Sequence, residues 1–296
     1  MVIVEVNGIM KNIMRISICV FVLAGLAVAS AEPVKLWETD EIYKAPESVA
    51  YDSKRGFLYI SNYTGGLKNG LPYGEQFISK VSLNGKVIKF DWIGNLTIPT
   101  GICVNDDKLY IVERFGVVVY DLEADKVSDK FYIKTSNFLN DITVGSDGGI
   151  YVSESDTNVI YKISGRNVEK WLDSEEISRP NGVLFDDGKL LVAVNSDHYL
   201  KAINISDKKV TKIANLGEGI LDGIKKCRGG YLVSDFMGGL YLVRPSGQVT
   251  ELINTRDAEI NIADFEYIPD KDMVVSPAMR KNKLICYRLG QTEKTN

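Results

Sequence analysis

Histidine, cysteine and clustered basic residues are scarce in this chain of 296 residues. It contains one histidine, His198, and four cysteines. Zinc sites use several histidine and thiolate ligands together, so a site of that kind is not predicted. The formal net charge is −4, and Lys and Arg form no dense patch. Nucleic acid is therefore excluded as an expected partner, because binding it requires clustered basic side chains.

Helical periodicity is also missing. No segment after residue 31 repeats apolar residues every 3.6 positions over several turns. Short runs rich in Val, Ile, Leu and Tyr alternate instead with Asp, Gly, Asn and Lys, which is typical of strands joined by tight turns. The sequence predicts an all-β fold.

Residues 1–31 are interpreted as a secretory signal peptide. Lys11 and Arg15 precede an apolar run of 14 residues, and Ala29-Ser30-Ala31 offers small residues for cleavage. The run is shorter than the roughly 20 residues of a membrane span, although a retained N-terminal anchor is the alternative. We expect a secreted or periplasmic protein that has no membrane attachment after cleavage, with residues 32–296 forming one domain.

The stretch 179–195, R-P-N-G-V-L-F-D-D-G-K-L-L-V-A-V-N, recurs in six versions. Counting nine residues back from the start of the second apolar run of each copy gives one position per repeat, which we call a slot. In the first copy the turn is longer, so the count is longer too. The slots are Glu47, Thr100, Asp141, Asn181, Asp222 and Asp264. Successive slots are 53, 41, 40, 41 and 42 residues apart, and an insertion of 12 residues, 65–76, explains the long first interval. Six repeats of about 41 residues predict a six-bladed β-propeller.

The chain ends predict how the ring closes. Four strands fit each repeat, and in repeat 4 they are expected at 182–185, 190–194, 199–205 and 210–216. The sixth repeat has only three strands, while residues 34–39 resemble the fourth-strand segment 168–173. The N-terminal strand should therefore complete the last blade and remove its open edge. Cys103, Cys227 and Cys286 fall on strands that should not face one another, so we expect free, mostly buried thiols.

The slot residues are expected to converge at the mouth of the central channel. A ring that holds three aspartates and a glutamate is costly unless a cation sits among them, and no slot holds Lys or Arg. Oxygen ligands suit a hard ion, which favours Ca²⁺ over Zn²⁺. One divalent cation is predicted there.

Four motifs resemble the six-bladed propellers of the senescence marker protein, gluconolactonase and luciferin-regenerating enzyme group. They are P-E-S at 46–48, L-N-D at 139–141, R-P-N-G at 179–182 and L-D-G at 221–223. The resemblance implies that Glu47, Asn181 and Asp222 hold a divalent metal and that Asn140 lies at the metal or the substrate. The family's lactonases carry an arginine two residues before that asparagine, to hold a sugar acid. This chain has Phe138 there, which argues against a gluconate-like substrate.

The resemblance implies metal-assisted hydrolysis of a lactone or related ester, with Asp222 as the catalytic carboxylate. Asp141 and Asp264 are further substrate-site candidates and alternative bases. Two other readings remain open: a metal-stabilised propeller that binds a small ligand or protein without turnover, and a protein-interaction scaffold. We expect a monomer that acts on a small molecule.

Loops on the same face could complete the site. Phe236, Met237 and Phe115 either wall an apolar pocket or cap their blades, and the 65–76 insertion is either a lid or a surface excursion. His198 is either a base or, more often for a single loop histidine, incidental.

Overall fold

The computed structural model describes residues 32–64, 67–68, 71–72 and 74–290. Six four-stranded antiparallel sheets form the blades of a six-bladed β-propeller, which confirms the predicted fold. The predicted signal peptide, 1–31, lies outside the described residues. Within the described part of the chain, no helix is long and apolar enough to span a bilayer.

The strands are numbered in chain order. They are β1 Val34–Glu38, β2 Pro46–Asp52, β3 Phe57–Asn62, β4 Leu67–Lys68, β5 Leu71–Pro72, β6 Phe77–Ser82, β7 Val87–Ile93, β8 Ile102–Asn105, β9 Lys108–Glu113, β10 Gly116–Asp121, β11 Lys126–Tyr132, β12 Leu139–Val144, β13 Ile150–Glu154, β14 Val159–Ser164, β15 Asn167–Asp173, β16 Pro180–Asp186, β17 Lys189–Val194, β18 Tyr199–Asn204, β19 Val210–Asn215, β20 Leu221–Cys227, β21 Gly230–Asp235, β22 Gly239–Val243, β23 Val249–Asn254, β24 Glu266–Ile268, β25 Met273–Ala278 and β26 Lys283–Arg288. Short 3₁₀ helices lie at Glu175–Ile177, Arg256–Ala258, Pro269–Lys271 and Met279–Lys281.

In blades 1 to 5 the strands follow one another outward from the channel in chain order. Blade 1 is β2-β3-β6-β7, blades 2 to 5 take the next four groups of four consecutive strands, and blade 6 is β24-β25-β26-β1. The four strands of blade 4 match the predicted segments to within two residues at every end. The 65–76 insertion leaves blade 1 between β3 and β6 and contains the small β4–β5 pair. Part of the insertion lies outside the described residues.

The first and last strands close the ring as predicted. β1 pairs antiparallel with β26, with Val34 opposite Arg288 and Glu38 opposite Ile285. The Trp37 indole N–H donates to the Leu83 carbonyl of blade 1 at 3.1 Å, so the closing strand also contacts the neighbouring blade.

The core consists of layers between blades. The described residues contain six buried apolar clusters, and each cluster joins two neighbouring blades. Between blades 2 and 3, for example, Val112 packs with Val152 and Tyr161. The alternation of side chains along each strand supplies one apolar face to each neighbour. The three cysteines of this region are free, as predicted; Cys286 is buried, and Cys103 and Cys227 are half-buried.

Candidate functional site

The innermost strands of four blades carry a β-bulge where they reach the channel mouth. In blade 4, Pro180 pairs with Val194 and Val183 with Val192, so Asn181 and Gly182 together oppose one residue. A bulge interrupts the regular alternation and re-aims the side chains, and bulges are frequent beside active sites. The equivalent bulge residues are Glu47 and Ser48, Asn140 and Asp141, and Asp222 and Gly223.

The strand register corrects the predicted slot ring at two positions. Equivalent residues in the six blades are Glu47, Thr100, Asn140, Asn181, Asp222 and Ala263. Blade 6 aligns through its hydrogen bonds to blade 1, because the Asp264 N–H donates to the Glu47 carbonyl as the Gly101 N–H donates to that of Asn140. The slots of blades 3 and 6 are therefore Asn140 and Ala263, and Asp141 and Asp264 each follow the slot by one residue.

Turn length explains the displaced slots. Five residues separate the paired Val144 and Ile150 in blade 3, whereas four separate the paired Phe185 and Leu190 in blade 4. A fixed step of nine residues back from the second strand therefore ends one residue too late in blade 3. The corresponding turn of blade 6 is longer still.

A cavity of about 260 Å³ opens at the channel mouth. Its polar lining consists of five of the six equivalent residues, and its apolar lining comes from the surrounding loops. The lining residues are Glu47, Thr100, Asn140, Asn181, Asp222, Tyr63, Phe138, Ile220, Phe236 and Met279. Phe236 thus walls the cavity, whereas Phe115, Met237 and His198 are not part of its lining.

The side-chain NH₂ group of each of the two asparagines donates a hydrogen bond to the scaffold. Asn181 Nδ2 donates to the Leu221 carbonyl at 3.0 Å. Asn140 Nδ2 donates to Ser155 Oγ at 3.1 Å, and that hydroxyl donates in turn to the Pro180 carbonyl. One N–H of each NH₂ group thus bonds to the scaffold, and the Asn181 side chain also hydrogen-bonds Asp222, which partly offsets the rise that burial causes in the pKa of that carboxyl group.

Two buried acceptor atoms of the cavity have no hydrogen-bond partner among the described residues: Glu47 Oε2 and Asn181 Oδ1. Buried polar atoms nearly always have a partner, and leaving one unpaired costs about 1–3 kcal/mol. Two unpaired oxygens lining one cavity are suited to a positively charged or hydrogen-bond-donating group.

Both carboxyl groups of the cavity have raised pKa values. Burial raises the pKa of Glu47 well above its usual range, and the nearby charge of Asp222 raises it further. Burial also raises the pKa of Asp222, as do the charges of Asp264 and Asp141. The two groups therefore resist simultaneous ionisation unless a cation lies between them. No set of three or more His, Cys, Asp and Glu side chains suited to a metal occurs among the described residues, so amide oxygens would have to complete any ligand set here.

Asp141 and Asp264 form a second layer that is bonded to the scaffold. Asp141 Oδ2 accepts the Val183 N–H of the next blade at 2.7 Å. Asp264 accepts the Ser48 hydroxyl and lies 3.3 Å from Lys225 Nζ. Neither aspartate lines the cavity.

Lys225 supplies a positive charge beside Asp264 from a position outside the six slots. Burial lowers the pKa of Lys225, but the carboxylates of Asp264, Glu266 and Asp141 outweigh this and raise it. The ammonium group therefore stays charged and offsets part of the acidity below the cavity. The strand alternation was the available signal, since Lys225 is two residues beyond Gly223 on the same strand.

Gly182 is required by the close approach of two blades. A Cβ atom at Gly182 would lie 1.9 Å from the Asp222 carbonyl oxygen. We expect Gly182→Ala to lower the free energy of unfolding by about 3 kcal/mol or more, because a backbone atom must move. Gly165→Ala is the control: its turn has a positive φ of 58° but nothing within 4 Å, so about 1 kcal/mol is expected. Urea unfolding of both variants measures the difference, and equal losses would contradict the proposed close contact.

Comparisons with known proteins identify structures that share this fold. No protein-family model matches the chain, and no curated protein matches it in sequence. Among solved structures, a gluconolactonase from Xanthomonas campestris superposes with a TM-score of 0.67 and 17% identity, over 83% of this chain and 86% of that chain. The fold is shared with gluconolactonases. Virginiamycin B lyase from Staphylococcus aureus, solved as a catalytically inactive form with quinupristin, superposes with a TM-score of 0.61 and 13% identity, over 87% of this chain and 100% of that chain. At these identities the similarity establishes the fold alone.

Proposed function

We propose that this chain is a secreted or periplasmic, metal-dependent hydrolase that opens a lactone or a related ester. The observation that supports this best is the pair of unpaired buried oxygens, Glu47 Oε2 and Asn181 Oδ1, in one cavity with the Asp222 carboxylate. The shared fold of a gluconolactonase agrees with a lactone as substrate.

The residues present fit one hard divalent cation. Glu47, Asn181 and Asp222 would hold it, and their two carboxylates match the charge of a single dication. Carboxylate and amide oxygens without His or Cys favour Ca²⁺. When bound, the cation supplies a Lewis acid that polarises the substrate carbonyl.

The chain's own groups would supply the proton transfer and the positioning. Asp222 is proposed as general base toward the attacking water, because its carboxylate lines the cavity beside Glu47 and Asn181. Asn140 Oδ1, oriented by Ser155, would accept a hydrogen bond from the substrate. Phe138 and Ile220 provide apolar walls that exclude water.

Asp141 and Asp264 have a different place in this proposal. Both are held by scaffold donors below the cavity. A direct role toward the substrate remains a prediction for each of them. Their observed bonds favour a supporting role, in which their charges raise the pKa of Asp222.

A non-catalytic, metal-stabilised binding propeller is the second candidate. It is favoured by the small number of carboxylates in the cavity lining, where Glu47 and Asp222 are the two among the described residues. Asp222 would have to serve both as ligand and as base in the hydrolase. In the binding protein the first of these roles is sufficient.

Calcium titration of the EDTA-treated protein tests the metal site. We expect Ca²⁺ to raise the midpoint of thermal unfolding, with a stabilisation of about 2.7 kcal/mol when free Ca²⁺ is 100 times the Kd. Asn181→Leu removes the amide oxygen at similar volume and should weaken Ca²⁺ binding at least about tenfold. Thr100→Val is the control, because Thr100 lines the same cavity but its hydroxyl donates to the Leu139 carbonyl.

Hydrolysis of a panel of lactones and aryl esters by the same samples separates the two candidates. Turnover that follows Ca²⁺ loading and is lost in Asn181→Leu supports the hydrolase. Calcium binding without turnover of any substrate favours the binding protein. If neither Ca²⁺ nor EDTA changes the thermal stability or the activity of the wild-type protein, the metal-dependent proposal is wrong.

A further inference from the structure

A second cavity opens beside the candidate active site, at the junction of blades 5 and 6. Its volume is about 440 Å³, and it is lined by Met237, Arg256, Glu259, Asn261, Arg280 and Lys281. The two cavities are neighbours: Phe236 lines the first, and the guanidinium of Arg280, a residue that lines the second, lies 4.9 Å from the centroid of the Phe236 ring. One ligand could therefore contact both.

Three positively charged side chains line this cavity, and two of them form no salt bridge with the described residues. The Arg256 guanidinium is already bound to Asp235 at 2.8 Å, to Glu251 and to the Tyr241 hydroxyl. Arg280 and Lys281, in contrast, form no salt bridge with any of the described residues.

The Arg280 side chain is positioned by an aromatic ring. Its guanidinium lies 4.9 Å from the centroid of the Phe236 ring, a cation–π distance. Among the described residues, Glu259 is the one carboxylate of the lining, and it is exposed. The cavity therefore has a net positive charge from Arg280 and Lys281.

A buried amide donor lines the same cavity without a partner. Asn261 is only 3% exposed. Its Oδ1 accepts the Arg280 backbone N–H at 2.8 Å, which fixes the orientation of the amide. Its Nδ2 is buried and has no hydrogen-bond partner among the described residues. A buried NH₂ group beside two free cations calls for an acceptor with negative charge.

We propose that this cavity binds a carboxylate of the ligand that occupies the adjoining site. Arg280 and Lys281 supply the charge, and Asn261 Nδ2 supplies a directed hydrogen bond to one carboxylate oxygen. The proposal deepens the proposed function, on which it rests: the substrate is a lactone or ester that bears an acidic group at its far end, next to Phe236.

Calorimetric titration with glutarate and with its dimethyl ester tests this anion site. Both the EDTA-treated and the Ca²⁺-loaded protein are used, so that a carboxylate bound by the cation is told apart from one bound by Arg280. We expect glutarate, but not the diester, to bind in both states. Binding to the EDTA-treated protein stands even if Ca²⁺ proves not to bind, so the two proposals fail separately.

Arg280→Gln and Asn261→Asp are expected to weaken glutarate binding at least about tenfold, which is about 1.4 kcal/mol. Asn261→Asp keeps the acceptor for the Arg280 N–H and replaces the free donor with a repelling oxygen. Lys271→Gln is the control, because it removes one exposed positive charge from the far end of blade 6. Arg280 is itself exposed, so its variant should fold even if the Asn261 variant does not. Equal binding by Arg280→Gln and Lys271→Gln, equal binding of the diester, no binding of glutarate, or binding of inorganic phosphate alone would each overturn the proposal.

Discussion

A chain that lacks residues 32–38 is expected to lose about 3–5 kcal/mol of folding free energy and to aggregate on warming. The deletion removes β1 and with it the half-buried Leu36 and Trp37, which pack between blades 1 and 6. It also leaves β26 as an open edge, and unpaired edges promote intermolecular pairing. Urea unfolding and light scattering during a thermal ramp measure the two effects.

A peptide that spans residues 32–40 provides the complement to this deletion. Added in excess, it should pair with β26 and restore most of the lost stability, since strand addition to an exposed edge uses the same main-chain hydrogen bonds. A version with Trp37→Ala should restore less, because the indole contacts blade 1 through Leu83. Unchanged stability of the truncated chain would show that the closing strand is dispensable.

Lys225→Met is expected to destabilise the protein by about 3–5 kcal/mol. The substitution removes a cation whose side chain is 18% exposed and leaves the 2% exposed Asp264 carboxylate beside Glu266 without its counter-charge. A buried charge that has lost its partner is costly, whereas the intact pair contributes little net stability. Urea unfolding of the variant against wild type gives the value.

The neighbouring lysine is a matched control for this prediction. Lys226 pairs with Asp186 at 2.6 Å, but its side chain is 62% exposed, so Lys226→Met should cost at most about 1 kcal/mol. Adding Asp264→Asn to Lys225→Met should recover part of the loss, because the unpaired charge is then removed as well. Equal losses for the two lysine variants, without recovery in the double variant, would show that Lys225 is not a buried counter-ion.

The sequence was sufficient for the fold because the fold is a repeat. Turn residues and apolar runs recur at one interval, and each unit predicts the same four strands, as those of blade 4 illustrate. The missing strand at one end and the surplus strand at the other predicted the β1–β26 pairing. Both inferences depend on local patterns, which the final packing did not override.

The site was predictable only where the turns have equal or recognisable length. Glu47, Thr100, Asn181 and Asp222 were placed correctly in the ring. Asp141 and Asp264 were displaced by one residue, because the longer turns of blades 3 and 6 are invisible to a fixed step. Asn140 was identified from the L-N-D motif at 139–141, although the count of nine residues selected Asp141 instead.

The positive groups could not be found from the repeat. Lys225 reaches Asp264 of the next blade, and this contact joins positions 39 residues apart that share no slot. Asn261 and Arg280 belong to different connections of blade 6 and meet only in the folded chain. Long flexible side chains and loop contacts depend on tertiary packing, for which the repeat carries no signal.

The pairing of β1 with β26 also determines the order in which the molecule can be completed. Blades 2 to 5 each consist of four consecutive strands, and in blade 1 only the small β4–β5 pair intervenes, so each of these five blades can assemble from a local stretch of chain. Blade 6 joins Val34 to Arg288 across nearly the whole described sequence, and contacts of such separation form slowly because a very large loop must close. Of the described strands, β1 is synthesised before all the others and is the last to find its partner, and until then blade 6 lacks its outermost strand.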